Sequence, residues 1–430
     1  MSSRPQDEST EPRRAIVLSG GGARGAYEAG VLRYIFDEIP EEIGRTPRFD
    51  IISGTSVGAL NSAWLAATIN EPRHSVRRLW YLWRTLDFQE VVRPSFGEIG
   101  RLTRQLLGGL NPFDFGDEPS GADSSRRGGL LDTTFFQELV RREIPFPNIN
   151  RNLNRGLFDA LTVSATDVVS GRTTVFAQTN DGEVPPWTRD PRRVAVGGPM
   201  TADKVLASAA IPLLFPAVQI GTRWFGDGGL RQNTPLSPAL RLGADRVLVV
   251  TLHSESTLPH PNRNPFDEPL PGPAQHYPSY LFMLGKLLDA LLLDPLDYDL
   301  MILERINGLL RHAEEAFGGE EGSGEAVEEF NEMMRAYRGM GYRIVEPELL
   351  RPSRDLGQMA SQFASEVPDD FWGSRLMASV CTSAVERSGY GESDLLSYVL
   401  FDGGYTGRLL DLGYRDAAAK HDRLVAFFEE

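Results

Sequence analysis

Residues 49–61 read Phe-Asp-Ile-Ile-Ser-Gly-Thr-Ser-Val-Gly-Ala-Leu-Asn, and this stretch decides the fold of the chain. Its beginning, Phe49–Ser53, is short, apolar and β-branched, which predicts a buried strand, and the residues after it are rich in helix formers. Gly54, Ser56 and Gly58 form a G-x-S-x-G spacing between the two. In a loop this spacing carries no meaning, but between a strand and a helix it is typical of a sharp turn that exposes the serine hydroxyl.

A second unit of the same kind stands nearer the amino terminus. Ala15–Leu18 predicts a strand and Ala26–Phe36 an amphipathic helix, with the glycine-rich segment Ser19–Gly25 between them. Two strand–turn–helix units in succession predict a parallel sheet that is covered by helices.

The glycine run after the first strand has two interpretations. Gly20–Gly25 satisfies G-x-G-x-x-G and could hold a dinucleotide, but that site needs an acidic residue about twenty positions further on, after a second strand. The next predicted strand instead ends at Ser53, inside the serine turn. The same glycines could point backbone N–H groups at a negatively charged oxygen, and we favour this oxyanion interpretation.

An aspartate between glycines completes the set of candidate groups. Val218–Ile220 and Arg223–Phe225 predict a hairpin, and the second strand leads into Gly226-Asp227-Gly228-Gly229. A plain turn would also explain these residues. Acyl transfer, however, needs a nucleophile, a base and oxyanion donors, and Ser56, Asp227 and the glycine run supply one of each.

Composition narrows the class of protein. The 430 residues carry 44 basic and 59 acidic side chains, a net charge of −15, which gives no general reason to bind nucleic acid. The single cysteine, Cys381, excludes an intramolecular disulfide and a cysteine zinc site. The polar segment Met1–Arg14 has no apolar core of a secretory signal, and no apolar run reaches the roughly eighteen residues of a spanning helix. We therefore expect a cytoplasmic protein, with peripheral membrane contact left open.

The order of these motifs and their residue patterns resemble those of the patatin-like phospholipases. That family combines a G-G-G-x-R-G loop, a G-x-S-x-G turn and a downstream D-G-[AG] turn, found here at Gly20–Gly25, Gly54–Gly58 and Asp227–Gly229. Ser208–Pro212 and Asn233–Pro238 extend the resemblance to about residues 15–255. Many members carry Asp before the glycine run, whereas this chain has Ser19, which indicates that the turn is held differently.

The resemblance implies an α/β fold: a three-layer α/β/α sandwich with a mostly parallel central sheet and a mainly helical carboxyl-terminal extension. The expected organisation is a disordered tail (1–13), a catalytic domain (14–255), a proline-rich linker or loop (256–278) and a helical extension packed on the catalytic domain (279–430). We also expect the long loop at 108–129 to act as a lid.

The resemblance also implies a lipid acyl hydrolase of the phospholipase A or lysophospholipase type. Its substrate would be a phospholipid or another lipid ester, without a cofactor, a metal or nucleic acid. Ser56 would be the nucleophile and Asp227 its base. The oxyanion hole would comprise Gly20, Gly21, Gly22, Arg24 and Gly25, with N–H donation by Gly21 and Gly22. The supporting residues of the two turns would be Gly54, Gly58, Gly228 and Gly229.

The sequence leaves three questions open: the role of Arg24, the role of His253 and whether the protein is an enzyme. Arg24 could brace the glycine loop or meet a phosphate headgroup, and bracing is favoured. His253 is the one histidine that follows a predicted strand, so it is the candidate for a conventional triad. The protein could also be a non-catalytic lipid- or partner-binding module on the same fold, although Ser56 and Asp227 are both present.

Overall fold

The computed structural model describes residues 11–91, 93–94, 129–184, 192–254, 296–317, 332–334, 341–373 and 392–429. Most of the predicted tail, nearly all of the predicted lid and the whole predicted linker lie outside these residues, as does Cys381. The domain boundaries drawn from the sequence stay a prediction.

The described elements alternate along the first half of the chain. The strands are β1 (Arg14–Leu18), β2 (Ile51–Thr55), β3 (Arg93–Pro94), β4 (Leu131–Asp132), β5 (Ala160–Asp167), β6 (Thr173–Thr179), β7 (Arg193–Gly197), β8 (Val218–Ile220), β9 (Arg223–Asp227), β10 (Arg246–Val250) and β11 (Glu346–Leu350). The helices are α1 (Ala26–Asp37), α2 (Ile39–Ile43), α3 (Val57–Thr68), α4 (Pro72–Arg84), α5 (Phe88–Val91), α6 (Thr134–Glu143), α7 (Phe146–Asn154), α8 (Ala202–Ser208), α9 (Leu236–Arg241), α10 (Leu296–Phe317), α11 (Leu356–Glu366), α12 (Glu392–Val399), α13 (Gly403–Ala419) and α14 (His421–Glu429).

One large sheet organises the described residues. Its strand order is β11-β10-β1-β2-β5-β6-β7, and the neighbours from β11 to β5 all run parallel. β6 turns back against β5, and β9 pairs with both β5 and β8 in antiparallel fashion. The prediction of a mostly parallel central sheet is confirmed.

Helices cover both faces of this sheet. Along β1, Ile16 and Leu18 join one apolar cluster while Ala15 and Val17 join another, as alternate side chains of a strand must. The larger cluster includes residues of α1, α3, α4 and α13, and the smaller one includes residues of α9 and α10. The three-layer prediction is thus confirmed. None of the described helices combines the length and apolar character that crossing a bilayer requires.

The carboxyl-terminal helices pack directly on the first helix. A Cβ on Gly30 of α1 would overlap the carbonyl oxygen of Leu410 in α13, and one on Gly413 would overlap the carbonyl of Tyr27. Glycine at both positions therefore lets the two helix backbones approach closely. The Arg14 Nε also donates to the Phe427 carbonyl at 3.0 Å, which ties β1 to α14.

Two strands at the periphery differ from the sequence prediction. The apolar residues of Tyr342–Val345 predict an additional strand of the sheet; the sheet does have this strand, but at Glu346–Leu350, so the predicted bounds are wrong. The Val345 N–H donates to Asn307 Oδ1 at 3.0 Å and its carbonyl accepts from Asn307 Nδ2 at 2.7 Å. The Asn307 side chain of α10 thus takes up both hydrogen-bonding groups of the Val345 backbone. The pairing of β11 with β10 therefore begins one residue later, at Glu346. β7 was not predicted; its valines, Val194 and Val196, are exposed at this edge of the described sheet.

Candidate active site

Ser56 lies on the sharp turn between β2 and α3. Its backbone has φ 55° and ψ −124°, a conformation that is strained for a residue with a side chain. A Cβ on Gly54 would overlap the carbonyl of Gly58, and a Cβ on Gly58 would overlap the carbonyl of Leu18. The two flanking positions therefore accept only glycine, which is the packing reason for the G-x-S-x-G spacing.

Strand order places Asp227 directly beyond the end of β2. β5 pairs with β2 as far as Thr55 opposite Ser164, and its next residue, Ala165, pairs with Asp227 of β9. β9 thus takes the position beside β5 that β2 leaves when it turns into α3. The result is a direct hydrogen bond of 2.7 Å from Ser56 Oγ to Asp227 Oδ2.

The Asp227 carboxylate is fully buried and has few partners. Its exposed fraction is 0%, against 3% for Ser56. Its second oxygen, Oδ1, accepts the Gly229 N–H at 2.7 Å. A Cβ on Gly228 would overlap the Ser164 carbonyl, which is the packing reason for glycine directly after the acid. Burial raises the pKa of Asp227 to about 7, although the hydrogen bonds from Ser56 and Gly229 favour its charged form.

Ser208 holds the backbone of the strained turn. Its hydroxyl accepts the Ser56 N–H at 2.8 Å and donates to the Ser164 carbonyl at 2.5 Å. Sequence reasoning noted Ser208 only as part of a motif. Because Ser208 and Ser56 are 152 positions apart, no local pattern could assign this contact.

The glycine run passes beside Ser56. A Cβ on Gly20 would lie 3.0 Å from the Ser56 Cβ and would overlap Asn233 Oδ1. The Gly20 N–H donates to the Asn233 carbonyl at 3.0 Å, and Asn233 Nδ2 donates to the Gly20 carbonyl at 3.1 Å. Ser19, the departure from the family pattern, shares a 2.6 Å hydrogen bond with the Thr234 hydroxyl. The segment after Asp227 therefore anchors the start of the loop.

The middle of the glycine run is packed from two sides. Gly22 has φ +56°, and a Cβ there would overlap the backbone carbonyl of Tyr398 in α12. A Cβ on Gly21 would meet the Leu252 side chain at 2.5 Å, and one on Gly25 would overlap Val57. These contacts fix the loop within a narrow space over the amino end of α3.

Arg24 points away from Ser56 and into the carboxyl-terminal region. This buried side chain donates from Nε to Ser397 Oγ at 2.7 Å, and its guanidinium lies 4.1 Å from the centre of the Tyr398 ring. Such stacking suits the planar arginine head. The geometry favours the bracing role for Arg24 over phosphate contact.

A buried polar network supports the other end of the loop. Asn61 Nδ2 donates to the Gly25 carbonyl at 3.0 Å and to Glu28 Oε2 at 2.8 Å. Trp83 Nε1 completes the network by donating to Asn61 Oδ1 at 3.2 Å. Burial raises the pKa of Glu28 well above its usual range, although the hydrogen bond from Asn61 favours the charged form.

An apolar cavity of about 90 Å³ follows α3 away from Ser56. Its wall begins with Leu60, whose N–H donates to the Ser56 carbonyl one helical turn earlier. Its lining comes from α3, α4, α5, α6 and Phe401, and it includes Trp64, Trp83, Phe136, Leu139 and Val140. From the sequence alone, the leucines and tryptophans of α4 predict core packing, which does not anticipate this space.

His253 follows a strand, as its position in the sequence predicts, but three residues beyond the end of that strand. β10 ends at Val250, and the His253 N–H donates to Thr251 Oγ1 at 3.4 Å. Ser56 already donates directly to Asp227, so the contact between nucleophile and acid needs no histidine between them.

Comparisons with known proteins give a family match. A sequence profile described as patatin-like phospholipase matches residues 16–240. A Pseudomonas aeruginosa protein named cGAMP-activated phospholipase is 29% identical over 222 residues, 51% of this chain and 53% of that protein. An uncharacterized NTE family protein of Mycobacterium bovis is 23% identical over 258 residues, 60% of this chain and 54% of its own length.

The chain spans about half the length of these curated relatives. Among solved structures, VipD from Legionella pneumophila aligns over 93% of this chain and 67% of its own. That alignment has a TM-score of 0.33 and 15% identity.

Proposed function

Because this chain belongs to the patatin-like phospholipase family, we propose that it hydrolyses fatty-acyl ester bonds of glycerophospholipids through a Ser56–Asp227 dyad. The observation that carries the proposal is the 2.7 Å hydrogen bond from Ser56 Oγ to a fully buried Asp227 carboxylate. A buried acid beside a hydroxyl on a strained turn is costly for stability, and such costs concentrate at functional sites.

In the proposed reaction Asp227 accepts the Ser56 proton as Oγ attacks the ester carbonyl carbon. The oxyanion that forms accepts hydrogen bonds from the Gly21 and Gly22 N–H groups. Its collapse breaks the bond to the alcohol, which takes the proton back from Asp227, and leaves an acyl-serine ester. Water then attacks this ester while Asp227 accepts its proton; the bond between the acyl carbon and Ser56 Oγ breaks, the fatty acid is released, and the proton returns from Asp227 to Oγ. Gly20 and Gly25 shape the oxyanion loop, and Arg24 braces it.

The apolar cavity along α3 is the proposed site for the acyl chain. It begins one helical turn from Ser56, and its walls are almost entirely hydrocarbon. A chain bound there would be removed from water over much of its length, which favours long-chain esters.

Covalent labelling tests the proposal most directly. A serine-directed fluorophosphonate should label the wild type and leave Ser56→Ala unlabelled, and the wild type should release fatty acid from phospholipid or lysophospholipid. Labelling of neither protein, together with no release from any lipid or nitrophenyl ester, would support the alternative of a non-catalytic binding module.

The pH dependence of turnover reports on the proposed base. Because Asp227 must be deprotonated and its pKa is raised to about 7, kcat/KM for a soluble ester should rise with pH and level off above about 7. Below the midpoint we expect about a tenfold loss per pH unit. Circular dichroism at each pH serves as the control for folding. A flat profile from pH 5 to 8 in folded protein would contradict this assignment.

Filling the cavity should change selectivity for chain length. Leu139 lines the cavity and is only partly buried, so that Leu139→Trp can reduce the space with little damage to the core. We expect hydrolysis of long-chain esters to fall about tenfold or more while acetate and butyrate esters change about twofold at most. The measurement is kcat/KM over a series of nitrophenyl esters. An equal loss for all chain lengths would mean that the cavity does not hold the acyl chain.

A further inference from the structure

Two exposed valines lie at the carboxyl ends of the sheet strands, the same side of the sheet on which Ser56 and Asp227 meet. Val168 and Val169 follow β5 in the turn that leads to β6, and their exposed fractions are 56% and 85%. A Cβ on Gly226, the residue before Asp227, would be 3.9 Å from the Val168 side chain and 3.6 Å from the Ala210 carbonyl. The turn therefore stands beside the strand that delivers the acid.

Leu213 adds a third exposed apolar side chain to this edge. It lies three residues after Ala210, is 58% exposed and has φ +69°. Among the described residues only Ser56 shares a positive φ without being glycine. A leucine that is strained and also in water gains little from packing, so its presence points to a use outside the folded core.

Basic side chains lie near the two valines. Among the described residues, the exposed arginines on this turn and its neighbouring segments are Arg172, Arg192, Arg223 and Arg231. The guanidinium of Arg231 lies 3.3 Å from the Cβ position of Gly171, at the end of the valine turn. Two carboxylates offset them in part: Asp167, which is buried and pairs with Arg223 at 2.6 Å, and Asp132, which accepts from Thr134. Within the part of the chain that the structure describes, this end of the sheet thus carries more exposed basic than acidic side chains, on a chain of net charge −15.

We propose that Val168, Val169 and Leu213, with Arg172 and Arg231 beside them, form a surface that docks on an anionic phospholipid bilayer. The apolar tips would enter the interface while the arginines meet headgroup phosphates. Docking here would hold the mouth of the Ser56 site against the lipid. We call these five residues the rim patch. The docking proposal rests on the proposed function, because an enzyme with a lipid substrate must place its active site against a bilayer.

Vesicle binding tests the rim patch without turnover. The full chain carrying Ser56→Ala is sedimented with vesicles of phosphatidylcholine alone and of phosphatidylcholine with phosphatidylglycerol. We expect stronger binding to the anionic vesicles, weakened by added salt. Adding Val169→Asp should reduce that binding about tenfold. Arg172→Gln with Arg231→Gln should remove most of the preference for anionic lipid.

Two further variants separate docking from folding. Leu213→Gly relieves the positive φ, so it should weaken vesicle binding without lowering the melting temperature. Leu309→Asp is the matched control, because Leu309 is 72% exposed on α10 near Asn307, which binds the chain just before β11. The start of β11 lies at the amino ends of the parallel strands, on the opposite side of the sheet from the rim patch. The Leu309→Asp variant should therefore bind vesicles as well as the parent does.

Hydrolysis of a soluble ester by proteins that retain Ser56 keeps the two proposals distinguishable. Val169→Asp should leave this rate unchanged while it lowers hydrolysis of vesicle phospholipid. Soluble activity without vesicle binding by the parent would overturn the rim patch and leave the proposed function standing. Vesicle binding that Val169→Asp does not weaken would also overturn it, as expected for a surface that meets a protein instead. Vesicle binding weakened as expected, without hydrolysis of any ester, would instead overturn the proposed function.

Discussion

Asp227→Asn should abolish ester hydrolysis, with a loss of at least about 10³-fold in kcat, while the protein stays folded. The amide can keep both contacts of the carboxylate, since its oxygen can accept from Gly229 N and its nitrogen can donate to Ser56 Oγ. It cannot accept the Ser56 proton. The measurement is hydrolysis of a soluble nitrophenyl ester by each purified variant, with circular dichroism to verify folding.

His253→Ala is the matched control, and it should retain most of the activity. A loss of several orders of magnitude in this variant, with Asp227→Asn still active, would replace the dyad by a conventional triad.

Asp227→Asn should raise the stability of the protein at alkaline pH although it abolishes activity. The folded pKa of Asp227 is about 7 and its unfolded pKa is about 3.9, so between these values the folded protein binds more protons than the unfolded one. The wild type therefore loses stability as pH rises through this range, whereas the neutral amide does not. At pH 8 the variant should unfold at a higher urea concentration than the wild type. A lower midpoint at pH 8 would mean that the carboxylate stabilises the fold.

Gly22→Ala should lower kcat by about 10²-fold or more, because the oxyanion loop cannot keep its position. The alanine Cβ would overlap the Tyr398 carbonyl, and φ +56° is itself unfavourable for alanine. Either the loop or α12 must then shift. Steady-state kinetics on a soluble ester measures the loss, and we expect it in kcat more than in KM because the affected donors act in the transition state.

Gly44→Ala separates strain from displacement. Gly44 has φ +66°, close to that of Gly22, but a Cβ there has no atom within 4 Å. This variant should lose about 1 kcal/mol of unfolding free energy and keep its activity. If both variants lost kcat equally, strain alone would account for the effect and the Tyr398 contact would be irrelevant to turnover.

The sequence predicted those parts of the molecule that local rules determine. The strand before Ser56, the helix after it and the glycines on either side belong to one short segment, and the structure has them in that arrangement. The meeting of Ser56 and Asp227 was reached through the order of the motifs, and the two side chains do lie in contact. Their catalytic roles stay a prediction until the variants are measured.

Contacts between distant segments were beyond sequence reasoning. Arg24 and Ser397 are 373 positions apart, and no periodicity or turn signal connects them. The additional strand was misplaced for the same reason, since Asn307, 38 positions before Val345, decides where the ladder can begin. The exposed leucine at positive φ was likewise not evident, because backbone strain leaves no mark in the residue types.

The contact between Gly22 and the Tyr398 carbonyl has a consequence for folding during synthesis, because the two residues are translated far apart in time. A ribosome makes the glycine loop among the first residues of this sequence, yet the helix that supports the loop is translated more than 370 residues later. Nascent chains fold from the amino terminus as they emerge. Ser56 and Asp227 can therefore come together before the residues that support the oxyanion loop exist, and competence for turnover should arise only after α12 has been translated.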